Sequence, residues 1–287
     1  MNKEIFTKEY YNTRTTNEFR NYSTIYTLDD IFCLEDLIKY KFGTGAGFGM
    51  FYRGEGDCTW DITSNINRNL AENISGFEVQ KAEERLLNTF LGKLFLKNSI
   101  DILLNRLDTG NPNLDNWYKL TQAQHGRLKT TLIDFTNSIR LACYFAVEDI
   151  EHDEQDGQVW LLVDFKRKLI TYDSEIMRYN PFNLEDDLLI APSIISDEIL
   201  KKLFHHNNSM QHGLFVKQKS INCHLPLIHN KDFSECLYRF IIPASEKAKL
   251  RKELHSYFPK GVYNEADKTI TNAVEECNNL LPKLIKS

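Results

Sequence analysis

The sequence contains no apolar run approaching the roughly 20 residues that a membrane-spanning helix requires, so the reading is of a protein that does not enter a membrane. It has no CxxC pair. The six cysteines, Cys33, Cys58, Cys143, Cys223, Cys236 and Cys277, are scattered, which argues for reduced and mostly buried thiols rather than a zinc knuckle or a disulfide framework. His205-His206 and His224…His229 lack carboxylates at metal-ligand spacing, so no metal is expected. Basic charge is not in excess: 35 Lys and Arg stand against 40 Asp and Glu, a net charge of −5 that does not draw the chain to nucleic acid. The residues after Met1-Asn2-Lys3 form neither an apolar core nor a cleavage pattern, and a cytoplasmic location is the expectation. Four glycines fall within 42–49, but no Lys-Ser/Thr follows them and a strand comes after rather than before. They read as a turn and not as a phosphate loop.

What remains is ordinary globular composition, 42% hydrophobic and 26% charged over 287 residues, with no repeat. One α+β domain with a single mixed-sheet core and helical ends is expected. Residues 1–25 are polar and tyrosine-rich, and read as an extension. Asp29 is placed to cap a helix that carries Ile31, Leu34, Leu37 and Ile38 on one face. A strand over 49–53 ends on Arg53. Ser75 and Glu78 have capping-box spacing ahead of a long helix, Asp115 is placed to cap a second helix that Gly126 ends, and Thr136 to cap a third. Val159-Trp160-Leu161-Leu162-Val163 reads as a strand buried on both faces. Further strands are expected at 169–172, 188–192, 211–216 and 237–242, with helices over 194–204, 245–257 and 270–285. The carboxylates from Glu148 to Asp156 read as a solvated acidic loop rather than a metal site.

Several residues carry candidate chemistry. Arg53, at a strand end beside two glycines, can offer a planar fork of donors to phosphate or carboxylate; the competing reading is a salt bridge to Asp134. Asp134, read between a strand end and a helix start, can hold a histidine or a ribose hydroxyl, or simply cap the helix. His125 suits a general acid or base, or a helix-end histidine bonded to a backbone carbonyl. Gln211 and His212 before Gly213 present amide and imidazole edges suited to reading a base, or form a satisfied turn. Cys143 reads as core, and Glu265 as a late glutamate in a loop setting.

Tyr52-Arg53-Gly54 satisfies the Phe/Tyr-Arg-Gly motif of the FRG domain family, and the chain resembles that family in order. The likeness continues through Trp60…Ser64…Arg68, Gln124-His125, Leu132 to Thr136, Leu141 to Ala146, Asp156-Gly157-Gln158-Val159-Trp160 and Gln211 to Phe215, and gives a domain over 26–243 with a helical segment over 244–287. The run Gly126 to Thr131 departs from the family's Gly-Leu-Pro-Thr-Arg, and no arginine immediately precedes Gln211. The Tyr-Arg-Gly strand is also distantly similar to that of arginine-class ADP-ribosyltransferases, whose arginine contacts the phosphates of NAD. Their Ser-x-Ser strand and catalytic glutamate have no clear counterpart, Thr130-Thr131 being a poor stand-in for the first. Together the resemblances imply an ADP-ribosyltransferase-like core with NAD in a cleft and no metal. Arg53, Tyr52, Gly54, Gln124, Thr136 and His212 would bind the cofactor, and His125, Gln211 and Asp134 would act in catalysis. The implied reaction is ADP-ribosyl transfer or NAD hydrolysis, in a setting such as bacterial defence or toxin action. The alternative is a non-catalytic nucleotide or peptide sensor that engages a protein partner through its terminal segments.

Overall fold

A computed structural model describes residues 23–43, 49–70, 74–96, 109–165, 168–171, 173–191, 213–258 and 268–285. Among the described residues eight strands form one sheet: β1 (Ser23–Thr24), β2 (Met50–Glu55), β3 (Ile133–Thr136), β4 (Gly157–Val163), β5 (Leu169–Ile170), β6 (Leu188–Ile190), β7 (Gly213–Lys217) and β8 (Leu237–Ile242). Their order is β1-β8-β4-β2-β3-β7-β6-β5. The two outermost pairs, β1 with β8 and β5 with β6, are parallel and every other pair is antiparallel, so the sheet is mixed. The described helices are α1 (Leu28–Ile38), α2 (Gly76–Leu96), α3 (Pro112–His125), α4 (Ile139–Glu148), α5 (Asp173–Ile176), α6 (Lys231–Ser234), α7 (Ala244–His255), α8 (Lys268–Asn278) and α9 (Leu281–Ile285). The expected α+β class with one mixed sheet is what the chain forms.

Strand alternation sorts the core. Successive side chains point to opposite faces, and Phe51, Trp160, Leu162, Leu214, Val216 and Leu237 join one cluster beneath Ile62 and Leu227 of the connecting segments and Phe233 of α6. Tyr52, Val159, Leu161, Tyr238 and Phe240 lie on the other face under α1, α4 and α7. Farther along that face, Leu188, Ile190 and Phe215 pack with α2, α3, α8 and α9 in a separate cluster. The helical layer is therefore two groups, and they part over β3. All seven residues of β4 are buried, as its unbroken apolar run predicts.

Two glycines let α4 press on the sheet. A Cβ on Gly54 would stand 1.7 Å from the Ala142 carbonyl oxygen, and one on Gly157 2.7 Å from that of Ala146. Beneath the other helical group lies a buried ion pair, with Lys217 Nζ 2.6 Å from Glu83 and side chains 0% and 1% exposed. Glu83 also accepts the Thr131 amide, which fixes the turn before β3.

Several boundaries differ from expectation. The cap of α1 is Thr27, not Asp29; Thr27 accepts from the Asp30 amide while Asp30 accepts from the Thr27 amide, a reciprocal pair that Asp29 cannot make. Asn111 rather than Asp115 caps α3, whereas Asp115 is occupied by Thr109. Ser138 rather than Thr136 caps α4, because Thr136 is still strand and its Oγ1 accepts the Ser138 amide. Ser75 and Glu78 do form their capping box, and Gly126 does end α3, although the left-handed backbone belongs to Arg127 at φ 70. The C-terminal helical stretch is two helices, α8 and α9. Ser23 and Thr24, expected in an extension, pair with β8 at the sheet edge. Of the expected glycine turn over 42–49, residues 44–48 lie outside the described residues, as do the expected helix over 194–204, Gln211, His212 and Glu265.

Candidate active site

β2 pairs with β4 over six positions but with β3 at one, Tyr52 with Thr136. Beyond that point the strands splay, and Arg53 fills the opening. Its Nη1 donates to the Asp134 carbonyl at 2.8 Å, replacing a sheet partner that β2 no longer supplies, and its Nε donates to Glu55 at 3.0 Å. The competing reading of a salt bridge to the Asp134 carboxylate is not what forms: the arginine meets that residue's backbone, and its carboxylate partner is Glu55. Glu55 lies two residues along the same strand, hence on the same face, and its side chain is 3% exposed. Gln158, opposite Glu55 in register, is wholly buried and donates to it at 3.1 Å.

A cleft of about 360 Å³ opens at this splay. Its floor comes from Tyr52 to Gly56 together with Asp134, Phe135 and Thr136; Trp60, Asn65 and Arg68 line it from the loop after β2; Phe145, Glu148, Asp149 and His152 line it from the end of α4 and the turn that follows; Gly213 and Phe215 line it from β7. Arg68 Nη2 lies 3.7 Å from Glu55, so two arginines address one buried carboxylate. Burial, and next the charge of Arg53, lower the Arg68 pKa, while Glu55 and Asp134 oppose that shift.

The acidic side is built differently. α4 delivers Glu148 at its C-terminus, and burial raises the Glu148 carboxyl pKa, with the Asp149 charge adding to it and a hydrogen bond with Tyr144 opposing it. The wall is held from behind by α7. Lys247, 0% exposed, donates to the carbonyls of Gly56 at 2.5 Å and His152 at 2.6 Å. Arg251 donates to the Val147 carbonyl, one of the acceptors a helix leaves unmatched at its C-terminus, and pairs with Asp153. The acidic stretch is therefore partly an anchored wall, and among the described residues no group of His, Cys, Asp and Glu could hold a metal.

Of the residues singled out from sequence, Arg53, Tyr52, Gly54, Asp134 and Thr136 share the cleft. Asp134 sits inside β3 rather than between a strand and a helix, on the helix-bearing face where the two helical groups part, and is exposed. Gln124 stands behind it: buried, it donates to Asp134 at 2.8 Å and accepts from Thr130 at 2.5 Å. Thr130 and Thr131 are themselves buried, and neither lines the cleft. His125 ends α3, but its side chain lies outside what is described. Glu55, Trp60, Arg68, Glu148 and His152 were not read as site residues. Glu55 carried a signal, the period-2 spacing from Arg53; the others come from a loop and a helix end with no local pattern to mark them.

The geometry defines an α+β protein with a polar cleft at a splayed strand pair. Residues 49–155 match the FRG domain model, and this segment of the chain is an FRG domain. The match begins beside β2 and ends just past His152, so it covers most of the cleft lining. No curated protein and no solved structure matches the chain.

Proposed function

We propose that the cleft binds a nucleotide, with NAD the leading candidate, and that the protein cleaves the nicotinamide glycosidic bond, passing ADP-ribose to water or to a macromolecule. The observation that carries this reading is the segregation of charge in the cleft. Arg53 and Arg68 gather on Glu55, while Glu148 and Asp149 lie at the α4 end. Two arginines against four carboxylates make the lining acidic on balance, which disfavours a simple anion. A ligand with a pyrophosphate and a cationic pyridinium ring offers each side its complement. Arg68, its side chain 43% exposed, is better placed than Arg53 to meet phosphate, because Arg53 already bonds Glu55 and β3.

Bond cleavage leaves positive charge on the ribose C1′ as the bonding pair departs to the nicotinamide nitrogen. A carboxylate in a partly desolvated site stabilises that charge and takes the proton of the attacking water. Glu148 is the residue we assign, its raised pKa bringing it nearer neutral pH. The resemblance to arginine-class ADP-ribosyltransferases supports the choice of NAD. The test is release of nicotinamide from NAD by purified protein, with Glu148→Gln as the control expected to bind without turnover. Binding without turnover by the wild type would favour the sensor reading. One observation favours that alternative: Arg53, the residue read from sequence as the phosphate contact, is engaged in holding the strands together.

A further inference from the structure

Trp60 is a large aromatic side chain left 39% exposed, while the other two tryptophans, Trp117 and Trp160, are 0% and 4% exposed. Its loop is held firmly. Gln158 donates to the Trp60 carbonyl at 2.6 Å, the Trp60 amide bonds the Asp57 carbonyl at 3.2 Å, and the Cys58 amide bonds the Asp156 carbonyl at 2.7 Å. His152 meets the indole edge-on, with ring centroids 4.8 Å apart and planes at 82°. Lys247 holds the His152 backbone through its carbonyl, and the imidazole Nε2 lies 3.7 Å from Asp149 Oδ2. Two rings at nearly a right angle, both lining the cleft, form a corner in which a flat ring can stack on one and meet the other. Arg68 lines the same cleft from the same loop and comes no closer than 3.7 Å to Glu55.

We infer that Trp60 and His152 form a preorganised stacking corner for the planar heterocyclic ring of the ligand, and that Arg68 takes the phosphate attached to the same ligand. The inference rests on the nucleotide reading above and names the groups that recognise it. Stacking on an exposed aromatic tolerates any base, because each has a π-face, and the phosphate contact alone distinguishes a nucleotide from a nucleoside. The rigid loop reduces the ordering cost that a mobile tryptophan would bring to binding.

Tryptophan emission reads this contact, since ligand in the cleft meets the exposed indole and not the two buried ones. Full-length protein is titrated with NAD, AMP and ribose 5-phosphate, following fluorescence and, separately, heat of binding. NAD and AMP are expected to bind and to quench; ribose 5-phosphate, lacking the ring, is expected to bind weakly and leave emission unchanged. Trp60→Leu should weaken NAD and AMP by roughly 5- to 150-fold, equivalent to the about 1–3 kcal/mol a base gains on an aromatic platform. Trp60→Phe, which keeps a platform, should bind within a few-fold of wild type while losing the quench. Arg68→Gln should weaken both nucleotides about tenfold or more and leave quenching at saturation intact. If NAD and AMP bind with calorimetric heat but Trp60→Leu binds as well as wild type, the stacking corner is refuted and the nucleotide cleft stands. If none of the three ligands binds, the nucleotide reading falls and takes the corner with it.

Discussion

Replacing Gly54 by alanine tests why the Tyr-Arg-Gly segment ends in glycine. The added Cβ would lie 1.7 Å from the Ala142 carbonyl oxygen, 2.8 Å from its carbon and 2.9 Å from the Ala146 amide nitrogen. All three are backbone atoms of α4, so no side chain can rotate away. Restoring a tight but real contact of about 3.2 Å requires the helix and strand to separate by roughly 1.5 Å, beyond what close-packed interiors absorb. Ile139, Leu141, Ala142, Cys143, Ala146 and Val147 are each 0% or 1% exposed, and would lose contacts together. Overpacking by one methyl against adaptable neighbours costs about 1–3 kcal/mol; against an unyielding backbone, we expect roughly 3–5 kcal/mol. The control is Gly92 in α2, whose added Cβ meets nothing within 4 Å. Gly92→Ala should stabilise by about 0.5–1 kcal/mol through helix propensity and reduced unfolded-state entropy. Urea unfolding followed by circular dichroism reads both, as opposite shifts in midpoint. Equal midpoints for Gly54→Ala and wild type would refute the close-approach argument, and would return Gly54 to a role in admitting ligand.

Glu148→Gln should be more stable than wild type at neutral pH and inactive on NAD. Its folded pKa is raised by burial, so the stability linked to its protonation is present below the free value of 4.5 and is lost as pH rises through the folded pKa; the gain of the variant, read by thermal melts across pH, should therefore vanish in acid. Lys247→Met should cost roughly 2–4 kcal/mol by leaving the Gly56 and His152 carbonyls without their donor, and in the titration above should weaken nucleotide binding by loosening the wall; unchanged binding in a folded variant would count against the clamp. Glu83→Leu should cost about 3–5 kcal/mol because it strands the buried Lys217, whereas Glu83→Leu with Lys217→Met should recover most of that loss in urea midpoint.

Strands with an apolar run, Gly49 to Arg53 and β4 among them, were legible because burial writes itself into the sequence, whereas the polar pair Ser23 and Thr24 of β1 left no such mark. Helix existence was legible for the same reason at period 3.6. The caps shifted by two to four residues because Thr27, Asp29 and Asp30, or Asn111 and Asp115, all have capping chemistry; the choice between them is made by reciprocal bonds and neighbouring turns rather than by residue type. The site divides in the same way. Arg53 was marked by its expected place at a strand end, although β2 runs on to Glu55, but Gln158 was seen only as part of a family segment, and its task of holding Glu55 and the Trp60 loop depends on the register between β2 and β4. Sequence order carries no such register for pairs 103 residues apart.

That dependence changes what the Tyr-Arg-Gly segment means. Tyr52 packs under α4, Arg53 bridges the splayed strands, and Gly54 admits the Ala142 carbonyl, so each of the three residues builds the opening of the cleft. Trp60 and Arg68, both exposed, stand on the loop that follows, and Glu148 closes the far side from the end of the helix that Gly54 admits. A segment whose residues shape the site leaves ligand choice to the loop and helix end. Exchanging residues 57–70 for the matching loop of another FRG domain is therefore expected to change which ligand binds while leaving the unfolding midpoint near its original value. A midpoint that collapses with the exchange would mean that loop and scaffold cannot be separated in this way.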